Sequence, residues 1–196
     1  MSFYVIDDHP MMRQAIAMLL RRVFSATTVV ELGKLSELAA AVIKHGEPKL
    51  FVLDLLLPGV KDTNAVREIK TMFPDVPLAV MSSMAAGDAQ ESCISAGADL
   101  YIEKSTSVNE ISAAISNLFM SKHDEGTSRS SEEVKLSKRQ KQLIGMLDRG
   151  LSNRDIAAEL DISEHTVKVH LWRLFRRLDV KSRTQTLHYA RLNGLL

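Results

Sequence analysis

At 196 residues, with 45% hydrophobic and 25% charged side chains, the chain can bury one large core or two small ones. Cys93 stands alone, which excludes an intrachain disulfide framework, and no apolar run nears the roughly 20 residues a bilayer-spanning helix needs. The net charge of +1 hides an asymmetry, because residues 1–134 carry 12 Lys/Arg against 18 Asp/Glu while residues 135–196 carry 13 against 6. That split points to a nucleic-acid partner for the second half alone.

The N-terminus enters strand-like sequence directly, without a basic n-region and apolar h-region, so the cytoplasm is the expected compartment. Residues 3–6 read as a strand ending in Asp7 and Asp8. A helix follows, with Met12, Ile16, Leu19 and Val23 on one face. A strand at 27–32 and an alanine-rich helix at 37–45 come next. Residues 50–58, L-F-V-L-D-L-L-L-P, read as a buried strand that ends by presenting Asp54. Strands at 78–81 and 100–102 and helices at 63–72, 89–96 and 108–120 complete this half. The last helix opens on a capping box, Ser107 with Glu110. Strands alternating with helices predict an α/β doubly wound five-stranded parallel sheet over residues 1–120, with 2-1-3-4-5 strand order as the fold-level expectation.

Residues 121–135 are polar, Ser-rich and without periodicity, and read as a flexible linker. Residues 136–196 then form a small all-α module of four helices. Ser137 with Gln140, Ser152 with Asp155 and Ser182 with Gln185 have capping-box spacing ahead of helices at 138–149, 153–160 and 185–193. Gly150 and Gly194 stand at C-terminal stops. Ser163 caps a fourth helix at 164–178, and the tight turn at 161–163 makes a helix-turn-helix.

The chemistry of the first half lies in its acids. Strand C-termini of a parallel sheet converge on one edge, where ligands bind. Asp7, Asp8 and Asp54 would repel one another there unless a cation sat among them, and an all-oxygen donor set suits Mg²⁺. Lys104 follows the fifth strand and Ser82 closes the fourth. An amine, a hydroxyl and a metal-bound carboxylate suit phosphoryl transfer, with Asp54 as nucleophile and Lys104 holding a phosphoryl oxygen. Asp8 is read as a direct ligand, Asp7 as a ligand through water, and the Leu56 backbone carbonyl as the remaining protein ligand. A phosphohydrolase of the haloacid-dehalogenase type needs a second carboxylate two residues past the nucleophile, where this chain has Leu56.

D-D after strand one, D-L-L-L-P-G at strand three, P-L-A-V-M-S at strand four and G-A-D-L-Y-I-E-K at strand five together resemble a two-component response-regulator receiver. The resemblance implies that a sensor histidine kinase phosphorylates Asp54. It also implies that Ser82 reorients towards the phosphate and Tyr101 rotates inward, so that the surface of the fourth and fifth helices changes. The sequence departs from the family at Asp62, where a glycine is usual, in a loop that also carries Lys61 and Thr63.

In the helix at 164–178, Leu171, Leu174 and Leu178 fall within about 40° of Val167 at about 100° per residue. His165, Lys168, Val169, Trp172, Arg173 and Arg176 lie on the far side. One apolar stripe opposite a basic face suits a major groove, with N-terminal residues on base edges and basic ones on phosphates. L-S-K-R-Q, G-L-S-N-R-D-I-A-A-E-L, I-S-E-H-T-V-K-V-H and K-S-R-T-Q resemble the LuxR-type helix-turn-helix of NarL/FixJ response regulators. That resemblance implies Lys168 and Val169 facing the groove, Asn153 with Lys181 or Arg183 near phosphates, and pairing through the last helix as a homodimer on two dyad-related half-sites. Trp172 departs from the polar or basic residue common there; as an exposed side chain it is read either as pressing on a thymine methyl or as packing against the receiver in the idle protein, with the base contact preferred. The expectation is a non-enzymatic DNA-binding regulator, phosphorylation-controlled and in contact with RNA polymerase. The alternative is a phosphorylation-independent regulator whose receiver serves only to dimerise.

Overall fold

β-Branched, leucine and aromatic runs closed by acids or turn residues become strands because they cover both faces of a buried sheet. In a computed structural model, the structure describes residues 1–25, 27–58, 63–84, 87–126, 136 and 138–196, without the side chains of 88, 122–126, 138 and 165. Two units result, Met1–Arg129 and Ser130–Leu196. The first contains β1 (Ser2–Ile6), α1 (Pro10–Val23), β2 (Thr28–Leu32), α2 (Leu38–His45), β3 (Pro48–Asp54), α3 (Asn64–Met72), β4 (Leu78–Ser82), α4 (Asp88–Ser95), β5 (Leu100–Glu103) and α5 (Val108–Gly126). All pairings are parallel, in the order β2-β1-β3-β4-β5. This is the doubly wound order expected from the sequence.

Alternate strand residues point to opposite faces and build two cores. Phe3, Val5, Leu50 and Val52 pack against Ile16, Ala17 and Leu20 of α1 and Ile111 and Ile115 of α5. Phe3 meets Phe24 and Phe119 edge-on, with centroids 5.0 and 5.1 Å away. On the other face Tyr4, Phe51 and Phe73 stack in a tilted row at 5.7 and 5.3 Å. Each such fully buried large side chain contributes about 1.5–3 kcal/mol. On α1 the buried residues are Ile16, Ala17 and Leu20, and Met12 and Leu19 of the predicted face pack half-buried against the same core.

α5 also runs past its predicted end. It continues through Gly126, so the first residues of the predicted linker are helical. Lys122, Asp124 and Glu125 lack apolar periodicity but do not prevent helix continuation. The rest of the predicted linker, and Ser137 of the predicted capping box, lie outside the described residues.

The second unit holds α6 (Lys138–Asp148), α7 (Asn153–Leu160), α8 (Glu164–Leu178) and α9 (Arg183–Leu192). Its core joins Leu143, Ile144 and Leu147 of α6, Ile156 of α7, the Val167–Leu171–Leu174–Leu178 stripe of α8 and Ala190 of α9. Ser152 and Asp155 close a full capping box on α7. Ser163 accepts from the Thr166 N–H at 3.1 Å and Ser182 from the Gln185 N–H at 3.2 Å. Gln185 does not return the bond to Ser182; its Oε1 accepts from the Lys181 N–H at 2.6 Å. With Ser182 as N-cap, α9 starts at Arg183, two residues before the predicted start. Asp161 and Asp179 take left-handed φ of 51° and 52°, reversing the chain after α7 and α8. No helix among the described residues is long and apolar enough to cross a membrane.

Candidate functional site

Strand register assembles the acidic edge. Ile6 of β1 pairs with Leu53 of β3, so the next residues, Asp7 and Asp54, emerge side by side. Ser82 closes β4 opposite Glu103, and its carbonyl accepts from the Lys104 N–H at 2.7 Å. Asp7, Asp54 and Ser82 are buried, and the Lys104 side chain is only 12% exposed. Lys104 Nζ lies 2.8 Å from Asp54 Oδ2 and 3.0 Å from Asp7 Oδ2. Burial works against the ammonium, but its short contacts with Asp54 and Asp7 outweigh that and hold its pKa above the ordinary lysine value.

The remaining oxygens are held apart in role. Asp54 Oδ1 accepts from the Leu56 N–H at 3.2 Å, and Asp7 Oδ1 from the His9 N–H at 2.8 Å. Asp8 Oδ1 and Asp54 Oδ2 are buried atoms that receive no hydrogen bond, although the latter is paired with the Lys104 charge. Asp7, Asp8, His9 and Asp54 each offer an atom within 4.8 Å of all the others. Two buried oxygens without a well-formed hydrogen bond, in a cluster of three carboxylates, fit a hard divalent cation that would add to the charge compensation Lys104 supplies. Ser82 Oγ accepts from the Met84 N–H at 3.1 Å, and the Tyr101 hydroxyl donates to the Met84 carbonyl at 2.8 Å. Met84 therefore links the two residues read as switch elements. Thr63 is buried, whereas Lys61 and Asp62 lie outside the described residues.

His9 was not identified by sequence reasoning. Its signal was adjacency to Asp7–Asp8, but only the loop geometry turns its Nδ1 to within 2.9 Å of Asp8, 3.4 Å of Asp7 and 3.8 Å of Asp54.

In the second unit, α8 presents Lys168, Arg176 and Arg177 as exposed cations, with Arg173 half-buried. Lys181 and Arg183 are exposed at the start of α9, where Arg183 Nη2 donates to the Leu151 carbonyl at 2.8 Å. Asn153 is half-buried at the first position of α7. The His165 side chain lies outside the described residues.

Two expectations need correction. Val169, read as groove-facing, is fully buried. The wheel angle counted only the helix's own stripe, while the buried positions of α8 also include Thr166 and Val169, and withdrawing a valine from water is favourable by about 1.5–3 kcal/mol. Trp172, read as exposed, is half-buried, and the Arg176 guanidinium lies 5.0 Å from its ring centroid. That cation–π contact covers part of the indole face. His170, unremarked in the sequence reading, has a buried Nε2 without a partner. Burial, then the charges of Arg139 and Arg173, pushes its pKa down to about 4.

Residues 3–116 match the family described as response regulator receiver domain, and residues 134–190 match bacterial regulatory proteins, luxR family. The chain is 27% identical to response regulator protein VraR of Staphylococcus saprophyticus, covering 97% of this chain and 96% of that protein. It is 30% identical to a nitrate/nitrite response regulator protein homolog of Haemophilus influenzae, over 91% of this chain and 90% of that one. Full-length FixJ from B. japonicum shares the fold, with a TM-score of 0.53, 24% identity and coverage of 100% and 98%.

Proposed function

The chain belongs to the response-regulator receiver family, joined to a LuxR-type helix-turn-helix, and from that premise we propose that phosphorylation of Asp54 by a sensor histidine kinase controls its binding to promoter DNA. A cytoplasmic response-regulator transcription factor needs an acceptor carboxylate that is nucleophilic, positioned and shielded from water. One observation carries the reading: Asp54 Oδ2 ends a buried strand, accepts no hydrogen bond and lies 2.8 Å from Lys104 Nζ.

In the transfer, the phosphoryl group leaves the kinase's imidazole nitrogen as an Asp54 Oδ–P bond forms, and Lys104 neutralises one phosphoryl oxygen. Asp8, Asp54, the Leu56 backbone carbonyl and Asp7 through water would hold Mg²⁺, which supplies the rest of the charge compensation. A phosphoryl group adds a charge of about −1.5 to −2 and three acceptors. Ser82 can donate to it once its hydroxyl turns from the Met84 N–H, and Tyr101, bonded to the Met84 carbonyl, registers the change. A two-state receiver is then biased towards a homodimer paired through α9. Two modules on one duplex gain affinity from effective concentration. Lys168 and Trp172 face bases, while Asn153, Arg173, Arg176, Lys181 and Arg183 contact phosphates, and bound protein engages RNA polymerase.

The test is a gel shift on promoter DNA with the wild-type chain and Asp54→Asn, each with and without acetyl phosphate. Acetyl phosphate should tighten wild-type binding and leave the variant unchanged. Identical binding in all four lanes would replace the proposal with phosphate-independent DNA binding and a receiver that only dimerises.

A further inference from the structure

His9 has no structural task for its imidazole. It is the N-cap of α1, yet its side chain makes no capping hydrogen bond. The backbone does that work, since the His9 N–H donates to Asp7 Oδ1 at 2.8 Å and the His9 carbonyl accepts from the Arg13 N–H at 3.0 Å. Pro10 opens the helix behind it. The side chain is 68% exposed at the mouth of the pocket, but its Nδ1 is turned inward, 2.9 Å from Asp8 Oδ1 and 3.8 Å from Asp54 Oδ2. Neither oxygen has a hydrogen bond of good geometry; their close neighbours are the His9 ring for Asp8 and the Lys104 ammonium, at 2.8 Å, for Asp54. Asp54 is almost wholly buried. Asp8 Oδ1, Asp54 Oδ2 with the Lys104 ammonium 2.8 Å away, and a ring nitrogen thus belong to one group of donor atoms that all lie within 4.8 Å of one another.

We propose that His9 supplies Nδ1 as a protein ligand to the divalent cation of this pocket and gives the site a preference for Mn²⁺ and related transition ions over Mg²⁺. The inference rests on the reading that the acidic edge holds a divalent cation. Carboxylate, carbonyl and water oxygens serve Mg²⁺ and Mn²⁺ alike, whereas an imidazole nitrogen favours the transition ion. Asp8 and Asp54 therefore set affinity for any divalent ion, and His9 sets the choice among them.

The experiment uses the full chain at one fixed pH of about 8, because metal affinity depends on pH. Free Mn²⁺ is titrated by electron paramagnetic resonance, Mg²⁺ competes in a second titration, and pulsed spectra of bound Mn²⁺ are searched for nitrogen hyperfine modulation. His9→Asn keeps a good N-cap residue, so α1 is retained. Wild type should show the nitrogen signal. His9→Asn should lose it and lower the Mn²⁺-over-Mg²⁺ preference at least about tenfold, the lower end of what loss of an outer-shell partner alone costs. Mg²⁺ affinity should stay unchanged. Asp8→Asn should weaken both metals. Mn²⁺ bound through Asp8 with no nitrogen signal, or His9→Asn that leaves the preference unchanged or tightens both metals equally, overturns the role of His9 while the cation pocket stands. Failure of either metal to bind wild type, or indifference to Asp8→Asn, overturns both.

Discussion

Replacing His170 by leucine should flatten the response of the C-terminal unit's stability to mild acid. His170 lies half-buried in α8 with a buried, unpartnered Nε2. Burial first, and the positive charges of Arg139 and Arg173 second, lower its pKa from 6.5 to about 4. The unfolded chain takes up a proton as the pH falls through its ordinary value, while the folded unit stays neutral until near the depressed one. The neutral ring's contribution is therefore complete above about pH 6.5 and declines from there towards pH 4. Linkage between pH 7.5 and 5 puts the loss at about 2 kcal/mol. Trp172 is the only tryptophan and sits in the same helix, so urea denaturation followed by its fluorescence reads this unit selectively. Wild type should lose about 2 kcal/mol more than His170→Leu between the two pH values, because other titrating groups are common to both. Equal losses would refute the assignment of a neutral buried imidazole.

Lys104→Met should leave Asp7 and Asp54 buried without their cation and cost the receiver about 3–5 kcal/mol in urea denaturation followed by circular dichroism, with millimolar Mg²⁺ restoring part of it; an unchanged midpoint would deny the ion pairs any role. Ser152→Ala removes the Oγ that accepts from the Asp155 N–H, keeps the bond from the Ser152 N–H to the Asp155 carboxylate, and should cost about 1 kcal/mol on the Trp172 signal. Lys168→Ala should reorder the ranking of operator variants, as loss of a base contact does; uniform weakening of all operators with a salt slope reduced by about one would place the residue on phosphate instead. Trp172→Ala should change the ranking of operator variants in a gel-shift series; an unchanged ranking would rule out a base contact.

The architecture was readable because its determinants are local. Apolar runs at 50–53 and 78–81 leave no polar face, which in a strand means burial on both sides, and alternation with helices then admits few topologies. Ser152 with Asp155 and Ser107 with Glu110 were equally legible, since a cap joins residues three apart. Asp54 stood out as an acid in a run with no local partner. What escaped depends on packing or loop shape. Val169 could not be placed by an angle that knows one helix axis. Trp172 looked exposed until Arg176 covered its ring. His9 read as an ordinary residue before a proline, because nothing in periodicity reveals where a loop turns an imidazole.

The pairing of Ile6 with Leu53 has a further consequence. Because Asp7 and Asp54 are each the next residue along neighbouring strands, the gap between them is inherited from the hydrogen-bonded ladder, about 4.8 Å wide, rather than from any loop. Sequence drift in the connections can reshape who approaches the acceptor without altering how far apart the two acids stand. Slipping β3 by one residue would instead turn Asp54 into the helix layer and erase the acceptor outright.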